Sequence, residues 1–182
     1  MKIILAQTAA SGAIYTRQIA TLLLENPAIS EVALIRSRHA AEVATHEGVV
    51  LPHSERLREY SPDDMFAPVA SGSARYAAMI VAPCSVGTVG RIAAGVSDSL
   101  LTRAADVMLK ERRPLILLVR ESPLSLIHLR NMCTVTEAGG VVMPAAPSFY
   151  NGEQSVEELC MTLSRRAVDM AGVECSRKEW GG

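Results

Sequence analysis

Short, unbroken apolar runs recur along the chain, each followed by a polar turn and then by helical periodicity. The runs are Ile3 to Ala6, Val32 to Ile35, Ala77 to Ala82, Pro114 to Val119 and Val141 to Met143. Their continuity predicts five strands buried on both faces, as in a parallel sheet covered by helices. After the first run, Ile19, Leu22 and Leu23 fall at helical spacing, and Asn26-Pro27 stops that helix. A short helix is predicted over Ala40 to Glu47. Two more follow the third strand, split near Gly95 to Ser97. The second of these is expected from Ser99 to Arg113. Leu100, Leu101, Ala104, Ala105, Val107 and Met108 make its buried face, and Arg103, Asp106, Lys110 and Arg113 share the other.

A further helix is expected from Ser125 to Ala138, closed by Gly139-Gly140 as a left-handed cap. The last begins at Ser155, with Glu158 completing a capping box. Its stripe reads Val156, Leu159, Leu163, Ala167 and Met170, with Arg166 at the margin. Gly48 to Pro68 shows mixed character and reads as a long excursion, the kind of segment that serves as a lid or an interface arm. The alternation of strand and helix defines one α/β domain over residues 1–182: a three-layer αβα, flavodoxin/Rossmann-like domain with a parallel sheet.

Composition narrows the function. The 182 residues are 49% hydrophobic with a net charge of −1, so no overall field draws the chain to nucleic acid or an anionic membrane. Met1-Lys2 leads directly into the first strand and no apolar run is long enough to span a bilayer, so a cytoplasmic protein without membrane insertion is expected. Cys84, Cys133, Cys160 and Cys175 are scattered and read as free thiols. The four histidines have no ligand spacing, so no metal is expected.

In such a sheet, ligands bind at the carboxyl ends of the strands. Those ends read Thr8 to Gly12, Ser37-Arg38, Cys84 to Thr88, Arg120-Glu121 and Phe149-Tyr150, and four of the five carry a hydroxyl. The first turn, Thr8-Ala9-Ala10-Ser11-Gly12-Ala13, opens a helix whose free N–H groups favour an anion, although taken alone it is an ordinary packing turn. Together the turns favour a phosphate-bearing ligand. No G-x-G-x-x-G or Walker A pattern is present, so a mononucleotide such as FMN fits better than a dinucleotide or ATP. Cys84 reads as a small buried thiol beneath its turn rather than a nucleophile, because no motif places a base beside it.

Longer motifs carry a family resemblance. Ala10-Ser11-Gly12-Ala13, Ala70-Ser71-Gly72-Ser73, Pro83-Cys84-Ser85, Arg103-Ala104-Ala105-Asp106-Val107, Leu109 through Leu115, Arg120-Glu121, His128-Leu129, Asn131-Met132 and Phe149-Tyr150 resemble the UbiX flavin prenyltransferases, in order and at near-constant spacing, with a Trp180 near the end. The resemblance implies a homododecamer that binds FMN and moves a dimethylallyl group from dimethylallyl monophosphate to N5 and then C6 of the reduced flavin. The prenylated FMN would pass to a UbiD-type decarboxylase in ubiquinone or aromatic-acid metabolism.

Carried over by position, Ala9, Ala10, Ser11, Ser37, Ser85, Val86, Gly87, Thr88 and Arg120 would hold FMN. Lys110, Arg120, Tyr150 and Arg166 would hold the allylic phosphate, some from neighbouring subunits, and by the same resemblance Arg103 would belong to that charged network. Glu47 and Glu121 would handle protons, Lys110 would assist the phosphate and Ser11 would position the flavin. Residues from about 155 to 182 would serve subunit contacts. Tyr15, Tyr150 or Trp180 is a candidate to shield allyl-cation character with a π face. Two departures stand out: Ala9 where the family usually has Gly, and Arg38-His39 where Lys-Ala is common. A positive φ at Ala9 would strain the turn. The competing readings are a non-catalytic FMN carrier and a cysteine decarboxylase of the same superfamily, whose P-x-M-N-x-x-M element is incomplete here.

Overall fold

The described residues of the computed structural model, which are 1–149, 152 and 155–175, form six strands and six α-helices. The strands are β1 (Lys2–Gln7), β2 (Glu31–Arg36), β3 (Leu57–Tyr60), β4 (Ala78–Cys84), β5 (Leu115–Val119) and β6 (Val141–Pro144). All pair in parallel, in the order β3-β2-β1-β4-β5-β6. The five strands expected from the apolar runs are present, and β3 is a sixth, inside the stretch read as an excursion. It pairs with β2 at the sheet edge, from Val32↔Leu57 to Ile35↔Tyr60. Its sequence Leu-Arg-Glu-Tyr is half polar because an edge strand has only one neighbour and stays partly in solvent.

The helices are α1 (Ala13–Glu25), α2 (Ala40–His46), α3 (Val86–Ala93), α4 (Leu100–Lys110), α5 (Leu126–Glu137) and α6 (Val156–Met170). Successive strand residues point to opposite faces, so Ile3 and Leu5 pack under α1 and α6 while Ile4 and Ala6 pack under α3 and α4. The result is the expected three-layer αβα domain. Chain direction reverses its stepping between β1 and β4, and the crevice at their carboxyl ends is where such sheets bind ligands. Pairing of β4 with β5 also slips between Val81 and Cys84, just beneath that crevice. Among the described residues no helix is long and apolar enough to cross a membrane.

Two helix expectations need correction. α4 ends at Lys110, because the residue before Pro114 is pushed out of helical geometry. Arg112 turns left-handed (φ 53°), and Arg113 folds back to donate to the carbonyls of Tyr76 (3.1 Å) and Gly72 (3.0 Å). On α6 the buried positions are Cys160, Ser164, Ala167 and Val168, while Val156 is 74% exposed. Ser164 belongs to this face because its hydroxyl donates to Gln18 Oε1 at 2.8 Å inside the α1–α6 contact. Arg166 is therefore exposed rather than marginal, and pairs with Asp169 at 3.0 Å. The Ser155–Glu158 capping box and the left-handed Gly139 (φ 99°) are as expected.

Arg56 closes the end of α1. Its guanidinium donates to the carbonyls of Ile29 (2.7 Å), Asn26 (3.3 Å) and Leu24. Removing it strands carbonyls that the helix end cannot satisfy itself. Arg56→Ala is expected to cost about 1.5–3 kcal/mol, read as a lowered urea midpoint at unchanged slope.

Candidate functional site

The turn between β1 and α1 already holds an anion, and it is the chain's own. Gly12, at φ 109°, adopts a left-handed conformation that suits glycine and aims its N–H inward. The Glu47 carboxylate accepts from Gly12 N (2.9 and 3.1 Å) and Ala13 N (2.7 Å), and from the Ser11 hydroxyl. Glu47 reaches there because α2 ends at His46, where the Glu47 N–H still bonds the Val43 carbonyl (2.9 Å). Partial burial pushes its carboxyl up, but the Ser11, Gly12 and Ala13 hydrogen bonds and the Arg120 charge outweigh this and hold it below its ordinary value. The left-handed residue of the turn is thus Gly12, not Ala9, which is exposed and has no positive φ. The strain anticipated at Ala9 does not arise.

Thr8 joins this turn to the next one. Its hydroxyl donates to the Pro83 carbonyl (2.8 Å) and accepts from Ser85 N–H (2.9 Å). Ser85 then caps α3, its side chain accepting from Thr88 N–H (3.3 Å). Val86 and Gly87, in the first turn, have N–H groups with no intrahelical carbonyl. Between these elements lies an open cleft of about 320 Å³. Thr8 and Ala9 line one side, Ser37, Arg38 and His39 another, and Ser85 and Thr88 the floor of α3. Pro62, Asp63, Arg91, Asp98, Ser99, Leu101 and Thr102 complete it. These last residues were not among the expected site groups. The Ser-Asp-Ser run at 97–99 and the Pro-Asp-Asp run at 62–64 were the signals available, and both read more simply as a cap and a turn.

Arg120 follows β5, its N–H bonded to the Cys84 carbonyl at 3.1 Å. Its Nε is buried with no hydrogen-bond partner among the described residues. A buried guanidinium nitrogen without a partner is costly unless a ligand supplies one. Arg120 and Glu121 do not form a bridge with each other among the described residues; Glu121 Oε1 instead accepts from Ser122 N–H at 3.1 Å. Cys84 lies fully buried beneath the cleft, and burial pushes its thiol up, so it is the inert thiol expected.

One chain therefore gathers Ala9, Ala10, Ser11, Ser37, Glu47, Ser85 to Thr88, Arg120 and Glu121 at one end of the sheet. It does not gather Lys110, which sits at the far end of α4, where the chain enters β5, exposed and paired with Glu111 at 3.0 Å. Arg166 is likewise apart, well along α6 and paired with Asp169. Arg103 is half-buried, bonded to Asp106 (2.9 Å) and the Ala70 carbonyl (3.1 Å). Tyr15 is buried in the α1–α6 core beside Cys160, so it offers no face to the cleft. Tyr150 and Trp180 lie outside the described residues. Among the described residues no three His, Cys, Asp or Glu converge as a metal site.

A parallel αβα sheet with hydroxyl-rich turns and an arginine whose buried Nε lacks a partner defines a candidate anion-binding crevice. Residues 1–166 match the family described as Flavoprotein. The flavin prenyltransferase UbiX of Methanocaldococcus jannaschii is 39% identical, over 100% of this chain and 99% of its own. A dodecameric FMN-dependent UbiX-like decarboxylase from Escherichia coli O157:H7 superposes with a TM-score of 0.91 at 38% identity, covering 100% of both chains. AnUbiX (PadA1), solved with FMN and dimethylallyl pyrophosphate, superposes with a TM-score of 0.89 at 37% identity, covering 98% of each. This chain belongs to the flavoprotein family and, within it, to the UbiX flavin prenyltransferases.

Proposed function

We propose that this protein is a flavin prenyltransferase that binds FMN in the β1–β4 crevice and takes its prenyl group from dimethylallyl monophosphate. The observation that carries the reading is the pair formed by Glu47, held ionised over the α1 terminus, and Arg120, with its buried, unpartnered Nε. The residues fit the cofactor: the α3 terminus offers free N–H groups, and the cleft is lined by hydroxyls rather than a deep apolar wall. Reduced FMN supplies the nucleophilic N5 and C6 that receive the prenyl carbons.

Arg120 supplies positive charge where phosphate leaves, so the developing dianion is stabilised electrostatically. Glu47, ionised and hydrogen-bonded, is suited to take up a proton at the flavin edge. Ser11 fixes the orientation of that carboxylate, and Glu121 stands beside Arg120 to exchange a proton with the phosphate. Lys110, Tyr150 and Arg166 complete the phosphate site, some of them from neighbouring copies of the chain in a homododecamer. The prenylated FMN is then released to a UbiD-type decarboxylase.

Anaerobic incubation with reduced FMN and dimethylallyl monophosphate is expected to give a flavin adduct heavier by one prenyl unit, read by mass spectrometry of the released flavin. Bound FMN with no mass shift would instead indicate a carrier.

A further inference from the structure

Two motifs far apart in the chain meet at the end of α4, away from the crevice. Arg113, folded back behind the left-handed Arg112, donates to the carbonyls of Tyr76 (3.1 Å) and Gly72 (3.0 Å). Arg103, two turns earlier on α4, donates to the Ala70 carbonyl at 3.1 Å. The Ala70-Ser71-Gly72-Ser73 segment is thus fastened to the end of this helix at three points. Glu111 stands between these fixed parts. Its Oε1 accepts from Lys110 Nζ at 3.0 Å and its Oε2 from Arg113 at 3.4 Å. The hydrogen bond and charge of Lys110, with the charge of Arg113, hold the Glu111 carboxyl below its ordinary value.

An isolated surface pair of this kind would be of little consequence. Gly72 sets this one apart. Its backbone has no positive φ, so glycine is not required there for conformation. A β-carbon at Gly72 would instead overlap Glu111 Oε1, and would lie 2.7 Å from Cδ and 3.1 Å from Cγ of the same side chain. The missing side chain makes room for a carboxylate. With both oxygens engaged and its stem against Gly72, Glu111 grips Lys110 from one side. An ammonium carries three donors, and those that Lys110 does not give to Glu111 have no partner among the described residues.

We infer that Glu111 is a positioning residue for the prenyl transfer: it fixes the Lys110 ammonium against Gly72 and Arg113, and leaves its remaining donors aimed outward for the allylic phosphate. This role rests on the assignment of Lys110 to the phosphate site above, and adds to it two residues, Glu111 and Gly72, that touch neither flavin nor phosphate. A cation held in place loses less freedom when the phosphate arrives, so the loss of its holder is felt in substrate binding.

Anaerobic adduct formation by the full chain, with kcat and KM measured for dimethylallyl monophosphate at saturating reduced FMN, tests it. Glu111→Ala is expected to raise KM about tenfold with a much smaller change in kcat, and to leave FMN affinity unchanged. Glu111→Gln, whose amide oxygen still accepts from Lys110, should recover most of the loss. Gly72→Ala changes no charge and displaces only the far end of a flexible side chain, so it should keep the fold yet raise KM several-fold. In a Lys110→Ala background none of these substitutions should have a further effect. A thermal melt and native mass of each variant check folding and assembly, and Gly72→Ala carries the test should Glu111→Ala fail to fold. Wild-type KM in the folded variants, or an undiminished further loss in the Lys110→Ala background, would overturn the role of Glu111. An unchanged KM in Lys110→Ala itself would overturn the placing of Lys110 at the phosphate, a separate failure.

Discussion

Glu47→Gln is expected to bind FMN yet lose turnover by about 100-fold or more, the usual cost of removing a positioned proton acceptor. Glutamine keeps the length of the side chain and one carbonyl oxygen, so an N–H of Gly12 or Ala13 still finds an acceptor and the turn should hold. What disappears is the charge. The check is the rate of adduct formation against FMN affinity for the same preparation, and wild-type turnover would remove Glu47 from the chemistry. The substitution also has a pH signature. The folded carboxyl titrates below its unfolded value, so its ionised form stabilises the fold above the ordinary carboxylate range. That contribution fades as pH falls through the depressed value. Stability of the wild-type chain should therefore fall more steeply than that of the variant below roughly pH 4.

Arg120→Met should have the opposite profile in stability and a larger effect on rate. The wild-type chain buries Nε without a partner, and methionine fills similar space with no donor to satisfy. The melting temperature of the apo protein is expected to stay level or rise. Turnover should fall by about 10²–10³-fold, as when one preorganised donor to a developing anion is lost. A variant both stable and active would show that Arg120 does not face the leaving phosphate. A stabilised but inactive one is the mark of a group kept for function at the expense of the fold.

The layers of this protein were legible in the sequence because buried parallel strands are apolar throughout. Ile3 to Ala6 and Leu115 to Val119 have no polar position that another fold could use. β3 was not legible: Leu57-Arg58-Glu59-Tyr60 is a strand only because β2 offers an open edge, which no local pattern records. α6 misled in a related way. Its buried face includes Ser164, polar in sequence but satisfied by Gln18 on α1, 146 residues earlier in the chain.

At the site, the turn residues and Arg120 could be read from their places after strands. The Glu47–Gly12 contact joins positions 35 residues apart and depends on where α2 ends, so the turn that reads as an open anion site is in fact filled. Lys110 and Arg166 mark the other limit. Their motif is plain, but a single chain holds them away from the crevice, each paired with a neighbouring carboxylate.

Thr8 gives the crevice a property beyond its shape. By bonding Pro83 and Ser85 with one hydroxyl, it makes the β1 and β4 turns a single body rather than two independent loops. The conformational entropy of aligning those walls is spent when the chain folds, not when a flavin arrives. Affinity at this crevice is then governed by how well the ligand matches a fixed gauge, and a homologous turn lacking the hydroxyl would bind the same flavin more loosely while touching it with the same atoms.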